Sequence, residues 1–325
     1  MRDGHAGGAS AGTGRAGDPD LRVSLCGLEW KNPVGAASGT FSARESGLAY
    51  DFSQLGAVTV KGLSKEPWQG NPTPRIAECP SGMLNAIGLE NKGAGRFVAE
   101  DLPFLRAFIG DSGTRVIANV AGHSVGDCCE AAEALDCDGV DMLELNISCP
   151  NVEMGGMGFG TDPRMAAEVT GAVRARVKRP LIVKLTPNVT DIAEIARAVE
   201  AAGADAVSLI NTLLGMRIDL GRRRPALANI TGGLSGPAIR PVAVRMVYQV
   251  SRAVKIPVIG MGGIMSGEDA AEFLMAGASA VEVGTAALID PSAPLDILKG
   301  LSAFMSENGF GSVAALRAAL GTGQK

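Results

Sequence analysis

No apolar run in the sequence reaches the roughly 18 residues that a membrane-spanning helix needs, so no span is expected. The first stretch, MRDGHAGGASAGTGRAGDPD, lacks the apolar centre of a secretion signal. Rich in Gly, Ala and Asp, residues 1–20 read as a disordered tail. None of the six cysteines (Cys26, Cys79, Cys128, Cys129, Cys137 and Cys149) forms a C-x-x-C pair, and the two histidines, His5 and His123, stand apart from any cysteine cluster. That pattern supports neither a zinc site nor an iron–sulfur cluster, so no metal is expected on this chain. Without a secretion signal, reduced thiols and a cytoplasmic location follow. The net charge is −4 and the only basic block is Arg222, Arg223 and Arg224. A nucleic-acid surface would show a clustered basic stripe, so that partner is not expected. The arginine run reads as a solvated loop, with contact to an acidic patch or a phosphate as the alternative. No G-x-G-x-x-G follows a strand and opens a helix, so a nicotinamide would have to be bound by another chain.

What is present is a regular alternation. The 325 residues are 46% hydrophobic and 20% charged, enough for a large core in one domain over residues 21–325. Apolar runs rich in Val, Ile and Leu mark strands at 32–38, 57–62, 115–122, 141–148, 180–187, 206–212, 257–263 and 280–285. Such runs suit parallel strands buried on both faces. Helical patterns lie between most of them. Ile192, Ile195, Ala196 and Val199 form one stripe that stops at Gly203, and Ser266 is placed to cap a second helix that stops at Gly277. AGAD (202–205) and AGAS (276–279) look like one helix-to-strand turn used twice. Eight strands with intervening helices predict an α/β fold of the (β/α)8, or TIM-barrel, type, with an open doubly wound sheet as the alternative. LRVSLCGLEWKNP reads as a hairpin closing the bottom of the barrel, and 213–236 as a long loop over the active site.

In such a barrel, chemistry gathers at the C-terminal ends of the strands. Those ends carry Ala37, Ser38, Lys61, Asn119, Asn146, Ser148, Cys149, Asn151, Lys184, Asn211, Thr212, Gly262, Gly263, Gly284 and Thr285. Lysines and amides there want a polar ligand, because an unpartnered buried polar group costs roughly 1–3 kcal/mol. Gly262-Gly263 and Gly284-Thr285 follow the last two strands, where bare backbone N–H groups can approach a phosphate. FMN and a sugar phosphate both meet these requirements. Cys149 reads as a small buried hydrophobe, as a nucleophile lacking a placed histidine, or as a general base in a site closed to water. The glycine-rich VEMGGMGFGTDP after it reads as a lid.

The motifs ASGTF, TVKGLSKEP, GNPTPR, NAIGLEN, IANVAG, LNISCPN, VKLTPN, INTLLGMR, GGLSGPAI, IGMGGI and VGTA run in order from about residue 22 to 310. In this the sequence resembles the dihydroorotate dehydrogenases, and most closely the class 1B catalytic subunit. The resemblance implies oxidation of dihydroorotate to orotate through FMN in pyrimidine biosynthesis. Electrons would pass to NAD⁺ through a partner subunit carrying FAD and a 2Fe–2S cluster, in a heterotetramer built on a homodimer of catalytic subunits. FMN would be held by Ala37, Ser38, Lys61, Asn119, Asn146, Lys184, Ile210, Gly236, Gly262, Gly263, Gly284 and Thr285. The pyrimidine would be held by Lys61, Asn85, Ile87, Gly88, Leu89, Asn146, Asn151, Asn211 and Thr212. Cys149 would be the catalytic base, with Lys61 stabilising charge beside it. Cysteine stands there in the soluble enzymes and serine in the membrane-linked ones.

Four other readings compete. A dihydropyrimidine dehydrogenase would share the cysteine-and-asparagine logic but take a ring without a carboxylate. A phosphosugar aldolase or isomerase would be colourless. A non-catalytic FMN module would be yellow but inert to dihydroorotate. An RNA dihydrouridine enzyme would need a basic surface that a net charge of −4 does not suggest.

Overall fold

The computed structural model describes residues 18–148, 150–151 and 157–321. Eight aliphatic strands form its centre: β1 (Val34–Ala36), β2 (Ala57–Thr59), β3 (Arg115–Val120), β4 (Met142–Asn146), β5 (Leu181–Lys184), β6 (Ala206–Leu209), β7 (Val258–Met261) and β8 (Ala280–Val283). Each pairs in parallel with the next, and β8 returns to β1 through Val281–Val34 and Val283–Ala36. That last pairing closes the barrel and rules out the open sheet. With the barrel interior on one side and helices on the other, the strands have no solvent face, and every residue of β4 and β5 is buried. Each strand ends two or three residues before the sequence pattern suggested. Most of the polar residues read as strand ends therefore sit on the first residues of the following loops.

The surrounding helices are α1 (Ala43–Ala49), α2 (Leu102–Ile109), α3 (Val125–Leu135), α4 (Pro163–Arg174), α5 (Ile192–Ala201), α6 (Arg240–Ala253), α7 (Gly267–Met275) and α8 (Ala293–Glu307). The Asp191 carboxylate accepts from Ala193 N–H at the start of α5, and the stripe Ile192, Ile195, Ala196 and Val199 is buried against the barrel. Ser266 and Asp269 cap α7 reciprocally, each side chain accepting from the other's backbone N–H.

Val23–Leu25 and Leu28–Trp30 form the expected antiparallel hairpin. Leu25 and Trp30 are wholly buried, in a cluster with Ala57, Ile117, Met142, Ile182, Ala206, Ile259 and Ala280 from seven of the strands. The hairpin is thus the bottom plug. The fold starts slightly before residue 21, because Asp20 pairs with Ser312 and donates its N–H to Gly311 O at 3.0 Å. Residues 1–17, the bulk of the expected tail, lie outside the described residues.

The 213–236 stretch corrects the reading of a plain loop. Leu213–Met216 and Thr231–Ser235 are strands, and they pair with Gly82–Asn85 and Ile76–Cys79 from the β2 loop in a four-stranded antiparallel sheet. The pattern was hidden because these strands are short and glycine-rich, and their partners lie far away in sequence. Between them, Ile218–Asp219 pairs with Arg224–Pro225. The arginine run is the exposed tip of that hairpin, with Asp219 accepting from Arg222 N–H at 3.0 Å. The solvated reading therefore holds. Of the expected lid, residues 152–156 lie outside the described residues, while Phe159 is buried and Gly160 N–H donates to Ile147 O at 2.7 Å. Among the described residues no helix is long and apolar enough to cross a membrane, and no group of three His, Cys, Asp or Glu is placed to hold a metal.

Candidate active site

The strand ends and the antiparallel sheet enclose one cavity of about 1000 Å³. Ala37 and Ser38 reach it from β1, Lys61 from the β2 loop, Asn119 from β3, Asn146 from β4 and Lys184 from β5. Ile210, Asn211 and Thr212 follow β6, while Gly262, Gly263, Gly284 and Thr285 follow the last two strands. Asn85 and Gly236 come from the sheet and its exit, and Ile87, Gly88 and Leu89 from the segment after Asn85. Cys149 lies outside the described residues, as does the side chain of Asn151, whose backbone pairs with Met157.

One side of the cavity is a glycine cradle. At Gly263 (φ +83°) an added Cβ would stand 2.8 Å from Gly236 O and 2.9 Å from Arg240 Cβ. At Gly236 (φ +99°) it would stand 2.9 Å from Gly82 Cα. Close backbone approach and positive φ together demand glycine at both positions. The segment after Gly236 runs through Pro237–Ile239 into the N-terminus of α6, whose dipole favours an anion. Thr285 Oγ1 bonds Ser235 Oγ at 2.8 Å and ties the β8 loop to the sheet.

The other side is amide and lysine. Asn211 Nδ2 donates to Ser148 Oγ at 2.9 Å and to Asn146 Oδ1 at 3.3 Å, while Asn85 Nδ2 donates to Gly233 O at 3.3 Å. Lys184 Nζ donates to Ser38 Oγ at 3.1 Å. Asn119 Oδ1 is buried with no partner among the described residues. Burial holds the Lys61 ammonium below the usual lysine range; Glu90 pulls it back up and Arg75 pushes it further down. A phosphate-bearing heteroaromatic ligand fits this layout. The cradle takes its anion, and a ring edge with alternating donors and acceptors answers Asn119, Asn146 and the lysines. FMN meets that description.

Several residues escaped the sequence reading. His123, weighed only as a partner for a cysteine, lines the cavity and stacks on Trp68 with centroids 3.9 Å apart and planes 11° apart. Its position three residues past the end of β3 was the available signal. Glu144 and Glu282 are fully buried in β4 and β8; Glu144 contacts Asn119 and Lys184, and Glu282 accepts from Thr59. Their signal was a lone carboxylate inside an aliphatic strand. None of the five described cysteines lines the cavity. Cys26 donates to Asp205 O at 3.2 Å, and burial pushes its thiol up to about 12, which makes it inert.

The family model for dihydroorotate dehydrogenase matches residues 20–305. The chain is 56% identical over 302 residues to the dihydroorotate dehydrogenase B (NAD(+)) catalytic subunit of Alkaliphilus metalliredigens, covering 93% of this chain and 99% of that protein. It is 56% identical over 304 residues to the subunit of the same name from Geotalea daltonii, covering 93% and 98%. Its identity to the one from Lachnoclostridium phytofermentans is 55% over 293 residues, covering 89% and 95%. With a closed eightfold barrel whose strand ends converge on one amide-, lysine- and glycine-lined cavity, the chain belongs to the dihydroorotate dehydrogenase family.

Proposed function

We propose that this protein oxidises dihydroorotate to orotate in pyrimidine biosynthesis, with FMN in the cavity. The observation that carries the reading is the meeting of the Gly236–Gly263 cradle with Lys61, Asn85, Asn146, Asn211 and Thr212 in one cavity. Bound FMN supplies the two-electron acceptor for the substrate's C5–C6 bond. Gly236, Gly262, Gly263, Gly284 and Thr285 hold its phosphate end, and Ala37, Ser38, Asn119, Lys184 and Ile210 its ring. Amides of Asn85, Asn146, Asn151 and Asn211 and the Thr212 hydroxyl match the pyrimidine's donors and acceptors, beside Ile87, Gly88 and Leu89. Lys61 orients the substrate and balances its negative charge. Cys149 acts as general base and takes the proton from C5. Exclusion of water by the antiparallel sheet over the cavity favours that proton transfer.

The relatives are named catalytic subunits, which supports a companion chain for this one. We assign it FAD and a 2Fe–2S cluster and the delivery of electrons to NAD⁺. The assembly we propose is a cytoplasmic heterotetramer built on a homodimer of this chain.

The test is an anaerobic absorption spectrum of the purified chain before and after dihydroorotate is added. Flavin bands that bleach are expected, and a protein that cannot be loaded with FMN refutes the reading. Cys149→Ala is expected to slow bleaching by roughly 10²–10⁴-fold with FMN still bound. Bleaching at the wild-type rate removes Cys149 from the role of base.

A further inference from the structure

The barrel interior holds two carboxylates, Glu144 and Glu282, that the reaction above does not use. Such interiors are normally filled by branched aliphatic side chains. Here Thr59, Asn119, Glu144, Lys184, Ser208 and Glu282, from six different strands, meet in one layer, and none is more than 5% exposed. Glu144 is its hub. One of its carboxylate oxygens accepts from Asn119 Nδ2 at 2.5 Å and stands 3.6 Å from Lys184 Nζ. The other accepts from Ser208 Oγ at 2.7 Å. Across the layer, Glu282 accepts from Thr59 Oγ1 at 2.6 Å, and its second oxygen has no partner among the described residues.

The two carboxylates are not equivalent. Glu144 has a cation and two donors facing it. Glu282 has one hydroxyl, and a bare ionised oxygen there is costly. The charged groups facing it are Glu144 from β4, which opposes its ionisation, and Lys184 from β5, which favours it. Burial comes first and the Glu144 charge second, and together they push the Glu282 carboxyl up to about 8. Asn119 and Lys184 are both among the residues that line the cavity.

We propose that Glu144 is a positioning residue that fixes Asn119 and Lys184 against the flavin and carries the only negative charge of this layer, Glu282 being held neutral. This rests on the flavin reading above. One lysine and one carboxylate leave the layer with no net charge. Glu144 therefore offsets part of the stabilisation that Lys184 gives to the charge a flavin gains on reduction, and it keeps the flavin potential lower than the lysine alone would set it.

The test compares FMN-loaded wild type, Glu282→Gln, the double variant Glu144→Gln/Glu282→Gln, and Glu144→Asp. Flavin potentials are read against a reference dye and FMN affinity by fluorescence quenching. The double variant is used because Glu282 could otherwise ionise and replace the lost charge. Glu282→Gln is expected to leave the oxidised-to-reduced ratio at a fixed poise within about twofold, equivalent to about 9 mV for a two-electron couple. Adding Glu144→Gln is expected to shift that ratio about tenfold toward reduced flavin, about 30 mV upward. Glu144→Asp keeps the charge, so it is expected to weaken FMN binding with little change in potential. A merely structural role would move the aspartate and glutamine variants together.

A double variant at the wild-type potential overturns the proposal, as does a Glu282→Gln potential raised as far as the double variant's. Independently of flavin, the infrared carbonyl band of a protonated carboxylic acid is expected in the FMN-free wild type and lost in Glu282→Gln. Its absence from the wild type overturns the neutral assignment, even if the Glu144 variants fail to fold. A wild type that takes up no FMN defeats the flavin reading, an outcome distinct from either of these.

Discussion

Glu282 is expected to make the stability of this protein fall as the pH rises through neutrality, and Glu282→Gln to remove that fall. In the unfolded chain the carboxyl titrates near its ordinary 4.5, whereas in the fold it is pushed up to about 8. Between those values the folded state keeps a proton that the unfolded state has released. Stability is then lost with rising pH at up to about 1.4 kcal/mol per unit. The folded value is the raised one, so the full contribution is present below about 4.5 and is gone above about 8. From about pH 5 to about pH 7.5 the loss is about 3 kcal/mol. At roughly 2 °C per kcal/mol for a chain of this size, that is about 6 °C in Tm. Circular dichroism melts of wild type and Glu282→Gln over this range measure it. Groups away from this layer titrate in both proteins alike, so the quantity that counts is the difference between the two Tm curves. It should widen with pH, the variant gaining on the wild type. Two parallel curves, whatever their offset, would refute the argument, because they would mean that Glu282 binds no more protons folded than unfolded.

Trp30→Ala removes the largest side chain of the bottom plug and is expected to cost about 3–5 kcal/mol in urea denaturation. FMN affinity of the folded protein should be unchanged, because Trp30 packs at the opposite end of the barrel from the cavity. Gly263→Ala forces a Cβ to within 2.8 Å of Gly236 O at φ +83°. It is expected to weaken FMN by tenfold or more, about 1.4 kcal/mol, in fluorescence titration. Burial lowers the Lys61 pKa below 10.5, so its charge is present at low pH and is lost on the alkaline side sooner than for a free lysine. Orotate binding, followed through the flavin spectrum, is therefore expected to weaken in that range, and Lys61→Met should be weak and flat across it.

The barrel was legible because its strands are buried on both faces, and that forces aliphatic runs such as LIVK and AVSL that no exposed strand would carry. The cap at Ser266 was equally readable, since a cap is a local event. The antiparallel sheet was not. Its strands TGGLS and GMLN have too little alternation to announce themselves, and Gly233 meets Asn85 across 148 residues of chain. The site residues on strand ends could be placed by architecture, and all of them but Cys149 and Asn151, whose side chains lie outside the described residues, line one cavity. The role of each came from the family resemblance. Physical reasoning alone left FMN and a sugar phosphate level, because a glycine cradle selects a phosphate and says nothing of what it is attached to. His123 was passed over as a cavity residue because it was weighed only as a partner for a cysteine, although its place just past β3 puts it at the mouth.

Glu144 and Glu282 show why a charged residue inside an aliphatic strand deserves separate weight. Replacing one core aliphatic by a carboxylate costs several kcal/mol unless partners answer it. The fold answers Glu144 with Asn119, Lys184 and Ser208, and leaves Glu282 with Thr59 alone. That asymmetry divides the interior into three levels with separable consequences. At the bottom, Leu25 and Trp30 pack into an apolar cluster, so perturbation there is expected to change stability first. At the top, glycines and amides have ligand contacts to lose, so perturbation changes affinity. The middle level touches both, with Asn119 and Lys184 reaching up into the cavity and their partners sealed below. A substitution there must show in the pH dependence of stability and in the properties of the bound cofactor together. A change confined to one of them would mean that the middle level is not a single network.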